Sequence, residues 1–141
     1  HIYGCDDCLS ICPWNKFARP TEVEALQARA DLTAPALAEL AKLDDATFRT
    51  FFSASPVKRI GRDRFLRNVL IAIGNSKDPE LIQSALTCLG DPSPLVRGAA
   101  VWACSRLLEG NDFKALCDKY LEHESDTSVR AEWLDSNEID Y

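Results

Sequence analysis

A short signature recurs in this chain at a spacing that leaves few folds open. Leu66-Arg67-Asn68-Val69 aligns with Val96-Arg97-Gly98-Ala99 thirty residues on, and Val96-Arg97 aligns with Val129-Arg130 thirty-three residues further. Each match opens a segment of helical apolar spacing, and the last two follow Asp-rich turns. Self-similarity at this period marks stacked helix pairs. One pair cannot bury its own apolar face, whereas two and a half in a row build a continuous core. No segment sustains period-two alternation, so the chain is predicted to be all-α.

The elements follow from caps and breakers. A helix is predicted from about Asp63 to Ile73, with Gly74-Asn75-Ser76-Lys77 as a turn. Asp78-Pro79 starts the next helix and Gly90 closes it. Ser93 is read as a cap and Pro94 as a first helical residue, leading to Leu107. Further helices are expected from about Asp112 to Leu121 and from about Asp126 to Leu134. Upstream, Thr33 is read as the cap of a segment with Pro35 near its first position, and Asp44 or Asp45 as the cap of turns carrying Phe48, Phe51 and Phe52. Pro56 breaks that run. A brief helix is expected from Pro20 through Leu26. Helix pairs of this period with an early Val-Arg resemble HEAT repeats, although the period is short for that class.

Ahead of the helices stands a different kind of text. Cys5, Cys8 and Cys12 occupy a C-x2-C-x3-C-P run followed by Trp14-Asn15. That is the second half of the bacterial ferredoxin pattern, whose last cysteine serves the other cluster of a two-cluster protein. Ile2 stands where the first cysteine of the full run would fall, so three ligands are present where a 4Fe–4S cluster needs four. The competing reading is a structural zinc loop with His1 as the fourth ligand, although zinc loops favour two C-x2-C pairs. A thioredoxin-like pair is disfavoured, because Asp6 and Asp7 between the thiols would raise a thiol pKa. Trp14 is expected to pack over and shield the cluster. Cys88, Cys104 and Cys117 lie in apolar helical text and read as reduced core residues, which suits the cytoplasm.

Charge separates two regions. The chain carries a net −6, which by itself argues against a general nucleic-acid binder. Yet Lys58, Arg59, Arg62, Arg64 and Arg67 crowd ten residues against one acid, Asp63, leaving −10 for the remainder. Such a basic patch on an acidic body can guide a polyanion. Backbone-following cations at a helix mouth suit phosphate contacts. Arg67, Arg97 and Arg130 recur at repeat spacing and are expected to form a ladder to the turn acids Asp91 and Asp126. His123 is read as a surface residue. No apolar run approaches the ~20 residues of a membrane span, and no signal peptide pattern is seen.

Three blocks carry a more specific resemblance. They are Gly4-Cys5-Asp6-Asp7-Cys8 with Cys12-Pro13-Trp14-Asn15-Lys16-Phe17-Ala18, then Ser55-Pro56-Val57-Lys58-Arg59 through Arg67-Asn68 to Ala72-Ile73-Gly74-Asn75, then Asp91-Pro92 and Val96-Arg97. Together they resemble the C-terminal part of the epoxyqueuosine reductase family, weakest after Asn111. The resemblance implies part of a cobalamin-dependent oxidoreductase with two 4Fe–4S clusters, which reduces epoxyqueuosine to queuosine at the wobble position of a tRNA. It implies a HEAT-like C-terminal domain as well. The cobalamin domain, the first cysteine run and the family's catalytic acid are absent, so no residue here inherits a catalytic role.

The expected organisation is a ferredoxin-type loop at 1–19, a helical linker at 20–61 and a HEAT-like repeat domain at 62–141. Cys5, Cys8 and Cys12 are the expected metal ligands. Lys58, Arg59, Arg62, Arg64 and Arg67 are the expected tRNA contacts. The chain is expected to be a monomeric, cytoplasmic fragment of a longer protein, inactive alone, with no membrane association and an electron donor the sequence does not specify. The alternative is a HEAT-type scaffold with a zinc loop that binds a protein partner.

Overall fold

A computed structural model describes residues 1–23, 27 and 29–138 of the chain. Among these residues every regular element is helical. The α-helices are α1 (Asp7–Ser10), α2 (Leu37–Ala41), α3 (Asp45–Phe51), α4 (Arg62–Ser76), α5 (Ile82–Cys88), α6 (Pro94–Leu107), α7 (Gly110–Leu121) and α8 (Thr127–Glu138). Short 3-10 turns occupy Pro13–Phe17, Ala30–Leu32, Pro56–Ile60 and Pro79–Leu81.

The helices form two layers. In one row α4 packs along α6 and α6 along α8, while α2, α5 and α7 lie against them in the second row. The recurring signature now has a physical meaning. Its first residues, Leu66, Val96 and Val129, are each at most 1% exposed and plug the core between the rows. Leu70 and Ile73 of α4 and Val101 and Cys104 of α6 complete the shared seam. Each large apolar side chain buried this way contributes about 1.5–3 kcal/mol. At one end Phe48, Phe52 and Phe65 meet with ring centroids 4.9–5.4 Å apart. At the other, Trp133 lies between Phe113 and Tyr120 at 5.5 and 6.0 Å. Cys88, Cys104 and Cys117 are free and buried. Burial pushes the Cys104 thiol up to about 12, so it behaves as a small apolar group.

The caps explain where helices begin, and several differ from the sequence expectation. Asp44 accepts from Thr47 N at 2.7 Å and starts α3. Asp126 accepts from Ser128 N and Val129 N at 2.9 and 3.2 Å at the head of α8. Thr33 does not cap α2: it ends the Ala30–Leu32 turn, and α2 starts after Ala36. Ser93 makes no side-chain cap on α6; instead Asp91 takes the Ser93 N–H at 2.9 Å, so the carboxylate holds the turn. Pro20 to Val23 are not helical, and Glu24 to Leu26, the rest of the brief helix expected there, lie outside the described residues.

Gly74 is the clearest departure. The expected turn at Gly74-Asn75-Ser76 is the last turn of α4, and Lys77, at φ +56°, ends the helix. A Cβ on Gly74 would stand 2.6 Å from Cζ3 of Trp102 and 3.1 Å from the Ala103 backbone. Glycine is needed there so that α6 can approach α4, not to break the chain.

Candidate metal loop and basic face

The cysteine loop is shaped by backbone choices around its thiols. Gly4 and Asp6 flank Cys5 with φ of +60° and +52°. Glycine takes that region freely and Asp is among the residues that tolerate it. Asp6 O then accepts from Leu9 N and Ser10 N, closing the single turn α1 that carries Cys8. Cys12 is extended, and Pro13 opens the following 3-10 turn. The Asn15 amide reaches back, donating to Leu9 O and, at 3.2 Å, to Ser10 O. Asn15 therefore ties the exit of the loop to its helical turn, a role that the Cys-Pro-x-Asn spacing could have signalled.

Cys5 and Cys8 are exposed, Cys12 is half-buried, and all three are free thiols. Among the described residues no three His, Cys, Asp or Glu side chains converge on a point that could hold a metal ion. The three thiols therefore do not form a closed cage in this arrangement. Trp14 is 72% exposed, as is 62% of Phe17, and the two rings lie 5.6 Å apart.

The five cations of the basic window divide. Lys58 and Arg59 end the Pro56–Ile60 turn and are exposed, as are Arg64 and Arg67 on the outer side of α4. Arg62 is different. Its Nε donates to Leu43 O at 2.9 Å, while Nη1 and Nη2 donate to the two Asp91 oxygens at 3.1 and 2.6 Å. Asp63 accepts a further bond at 3.3 Å. Its side chain is 16% exposed against 6% for Asp91. With four of its five N–H groups engaged in the domain, Arg62 clamps α4 to the turn before α6 and does not present a free fork to a phosphate. The expected phosphate contact at Arg62 is corrected accordingly.

The arginine ladder exists with different partners. Arg97 meets Glu124, not Asp126, with two bonds of 2.8 Å, and its Nη1 donates to the Asp91 and Pro92 carbonyls at 3.0 and 3.1 Å. Arg97 holds the Glu124 carboxyl below its usual range. Arg130 donates to Leu121 O and Glu124 O at 2.6 and 3.1 Å. Asp126 is occupied as a cap. Arg67 is outside the ladder; it donates to Asn68 Oδ1. The reason is geometric: each arginine reaches back to carbonyls in the turn ahead of its own helix, and Arg97 also spans to the recessed Glu124 ahead of α8. His123 is exposed, and among the described residues no helix is long and apolar enough to cross a membrane.

Comparison with known proteins places this geometry. A family profile described as HEAT repeats matches residues 62–136. An epoxyqueuosine reductase of Alicycliphilus denitrificans is 42% identical over 113 residues, covering 74% of this chain and 31% of that protein. The protein of that name from Escherichia coli K12 is 39% identical over 77% of this chain and 28% of its own length. Among solved structures, an epoxyqueuosine reductase crystallised with an epoxyqueuosine-modified tRNA-Tyr stem loop superposes with a TM-score of 0.88 at 25% identity, covering 97% of this chain and 36% of that one. One from Bacillus subtilis gives 0.88 and 25%, over 97% and 37%. The chain thus spans about a third of the length of the proteins it matches.

Proposed function

The chain belongs to the HEAT-repeat family, and from that premise we propose that it is the electron-delivery and tRNA-docking part of an epoxyqueuosine reductase. The observation that carries the reading is one chain holding both an open loop of three free cysteines and a separate group of exposed cations. The resemblance of nearly the whole chain to proteins of that name supports it.

In this reading Cys5, Cys8 and Cys12 are thiolate ligands to 4Fe–4S clusters whose remaining ligands come from outside the chain. The clusters, when bound, supply one-electron transfer. Gly4, Asp6 and Asn15 hold the three sulfurs in fixed relation. Cobalamin and the acid–base chemistry belong to the remaining two-thirds of such a protein. The epoxide is reduced there, and this chain alone is inactive. The division into a loop at 1–19, a helical connection at 20–61 and repeats at 62–141 follows the same reading, as do a monomeric state and a cytoplasmic location.

Lys58, Arg59, Arg64 and Arg67 are the phosphate contacts. They lie at the head and along the outer side of α4, while the acidic remainder repels RNA and so orients it. Phosphate contacts position without reading sequence. The test is tRNA affinity against salt for the parent protein and its Lys58, Arg59, Arg64 and Arg67 quadruple alanine variant. Each lost contact lowers the log–log salt slope by about 0.7–0.9, and substrate tRNAs weaken to a similar extent. Unchanged slope and affinity in a folded variant would overturn the assignment. The zinc-scaffold alternative is separated by colour, because reconstituted iron–sulfur protein is brown and zinc protein is colourless.

A further inference from the structure

We infer that Asn68 is a positioning residue that clamps the entrance of the cysteine loop onto α4, the helix that also presents Arg64 and Arg67. The geometry stands alone; its meaning for reaction rests on the function proposed above.

Asn68 Nδ2 donates to Ile2 O at 2.7 Å, across sixty-six residues of chain. Its Oδ1 accepts from Arg67 Nε and Nη2 at 3.3 and 3.1 Å. A guanidinium can only donate, so it selects the amide oxygen and turns the NH2 group toward the Ile2 carbonyl. Ile2 itself is half-buried and packs against the apolar core. It stands three residues before Cys5, with the left-handed Gly4 between them. Every other hydrogen bond described for the loop is internal to it. Among the described residues, then, the Asn68–Ile2 bond is the one hydrogen bond joining the loop to the helical body.

The repeat pattern argues that this asparagine is not there to build the solenoid. Position 68 corresponds to Gly98 in the next repeat, which has no side chain and faces Val129 of α8 with room for an ordinary contact, a Cβ there standing 3.9 Å from it. The inner repeat places no polar group at that position. In the first repeat it is free to hold the loop instead. Asparagine suits the place because one planar group takes a cation on its oxygen and offers a donor on its nitrogen. An aspartate would face a carbonyl with an acceptor, and a leucine would offer neither bond.

The consequence is that the cysteine loop and the cations proposed for RNA share one helix as a reference frame. Losing the clamp removes the hydrogen bond that fixes the chain just ahead of Cys5, leaving only the apolar seat of Ile2 to hold it.

The experiment has two parts. In the 141-residue chain, nitrogen-15 relaxation is measured for wild type, Asn68→Ala and Asn68→Asp, with no metal or RNA present. The order parameters of Tyr3, Gly4 and Cys5 are expected to fall from about 0.85 to below 0.6, while the amides of α6 keep theirs. In wild type, nuclear Overhauser contacts from the Asn68 side-chain amide protons to Ile2 and Tyr3 are expected, and their absence overturns the clamp even if a variant fails to fold. Unchanged order at Tyr3 to Cys5 in both folded variants overturns it equally. In the parent holoenzyme, Asn68→Ala is expected to lower kcat by about 10- to 100-fold, in line with the cost of a ~1 Å misplacement, with KM for tRNA unchanged. A raised KM at constant kcat would overturn the positioning role while leaving the clamp and the tRNA reading intact.

Discussion

Replacing Arg97 by alanine tests whether the ladder at the repeat junction holds this domain together. The side chain makes four hydrogen bonds of 2.8–3.1 Å to Glu124, Asp91 O and Pro92 O. The two partners are recessed, at 17% and 9% exposure. Removing one member of a fully buried pair costs about 3–5 kcal/mol. This pair keeps an edge toward water, so about 2–3 kcal/mol is expected. For a chain of this size that lowers Tm by roughly 8–12 °C, at about 4 °C per kcal/mol. The pH dependence gives an independent check. Arg97 depresses the Glu124 pKa in the folded state, so the unfolded chain binds that proton more tightly. The pair's stabilisation is therefore complete above the ordinary glutamate value of about 4.3 and is lost as pH falls through the lowered folded value. The Tm gap between wild type and Arg97→Ala should accordingly narrow below about pH 4. Thermal melts by circular dichroism at several pH values, with Glu124→Gln and the double variant completing a cycle, measure both effects. A Tm loss under about 2 °C, or a gap that stays constant down to pH 3, would refute the argument.

Gly74→Ala should destabilise by about 1–3 kcal/mol through overpacking against Trp102, read from the denaturant midpoint; an unchanged midpoint would show that α6 shifts freely. Residues 33–141 alone should melt cooperatively as a helical unit, because the core from Leu37 to Trp133 is built without the cysteine loop. A weakly helical, non-cooperative trace would contradict this. The 141-residue chain should not retain stoichiometric, chelator-resistant iron and sulfide, since it presents three loop thiols that do not converge. Iron and sulfide analysis after anaerobic reconstitution decides the matter.

Much of the architecture was legible because it is written in short-range chemistry. Helical spacing of apolar residues, Asp44 as a cap and Pro94 at a first position each act within one turn of chain, so α3 and α6 could be placed without a structure. The repeat signature was legible for the same reason: a plug residue such as Val96 must recur wherever a helix re-enters the core. The grouping of Cys5, Cys8 and Cys12 in one short loop was likewise legible from spacing alone.

What the sequence by itself determined is therefore the all-helical repeat, the cysteine loop and the location of the basic window. Tertiary structure alone decided how those residues are used. Arg62 and Arg67 are alike as text, yet one is held by Asp91 twenty-nine residues away and the other is exposed. Gly74 reads as a breaker until Trp102 is seen against it. Asn68 reads as part of a repeat until Ile2 arrives from the far end of the chain. In each case the deciding partner is distant in sequence and within a few ångströms in space. A local pattern of residue types carries no information about such a partner, and the fold is what brings it there.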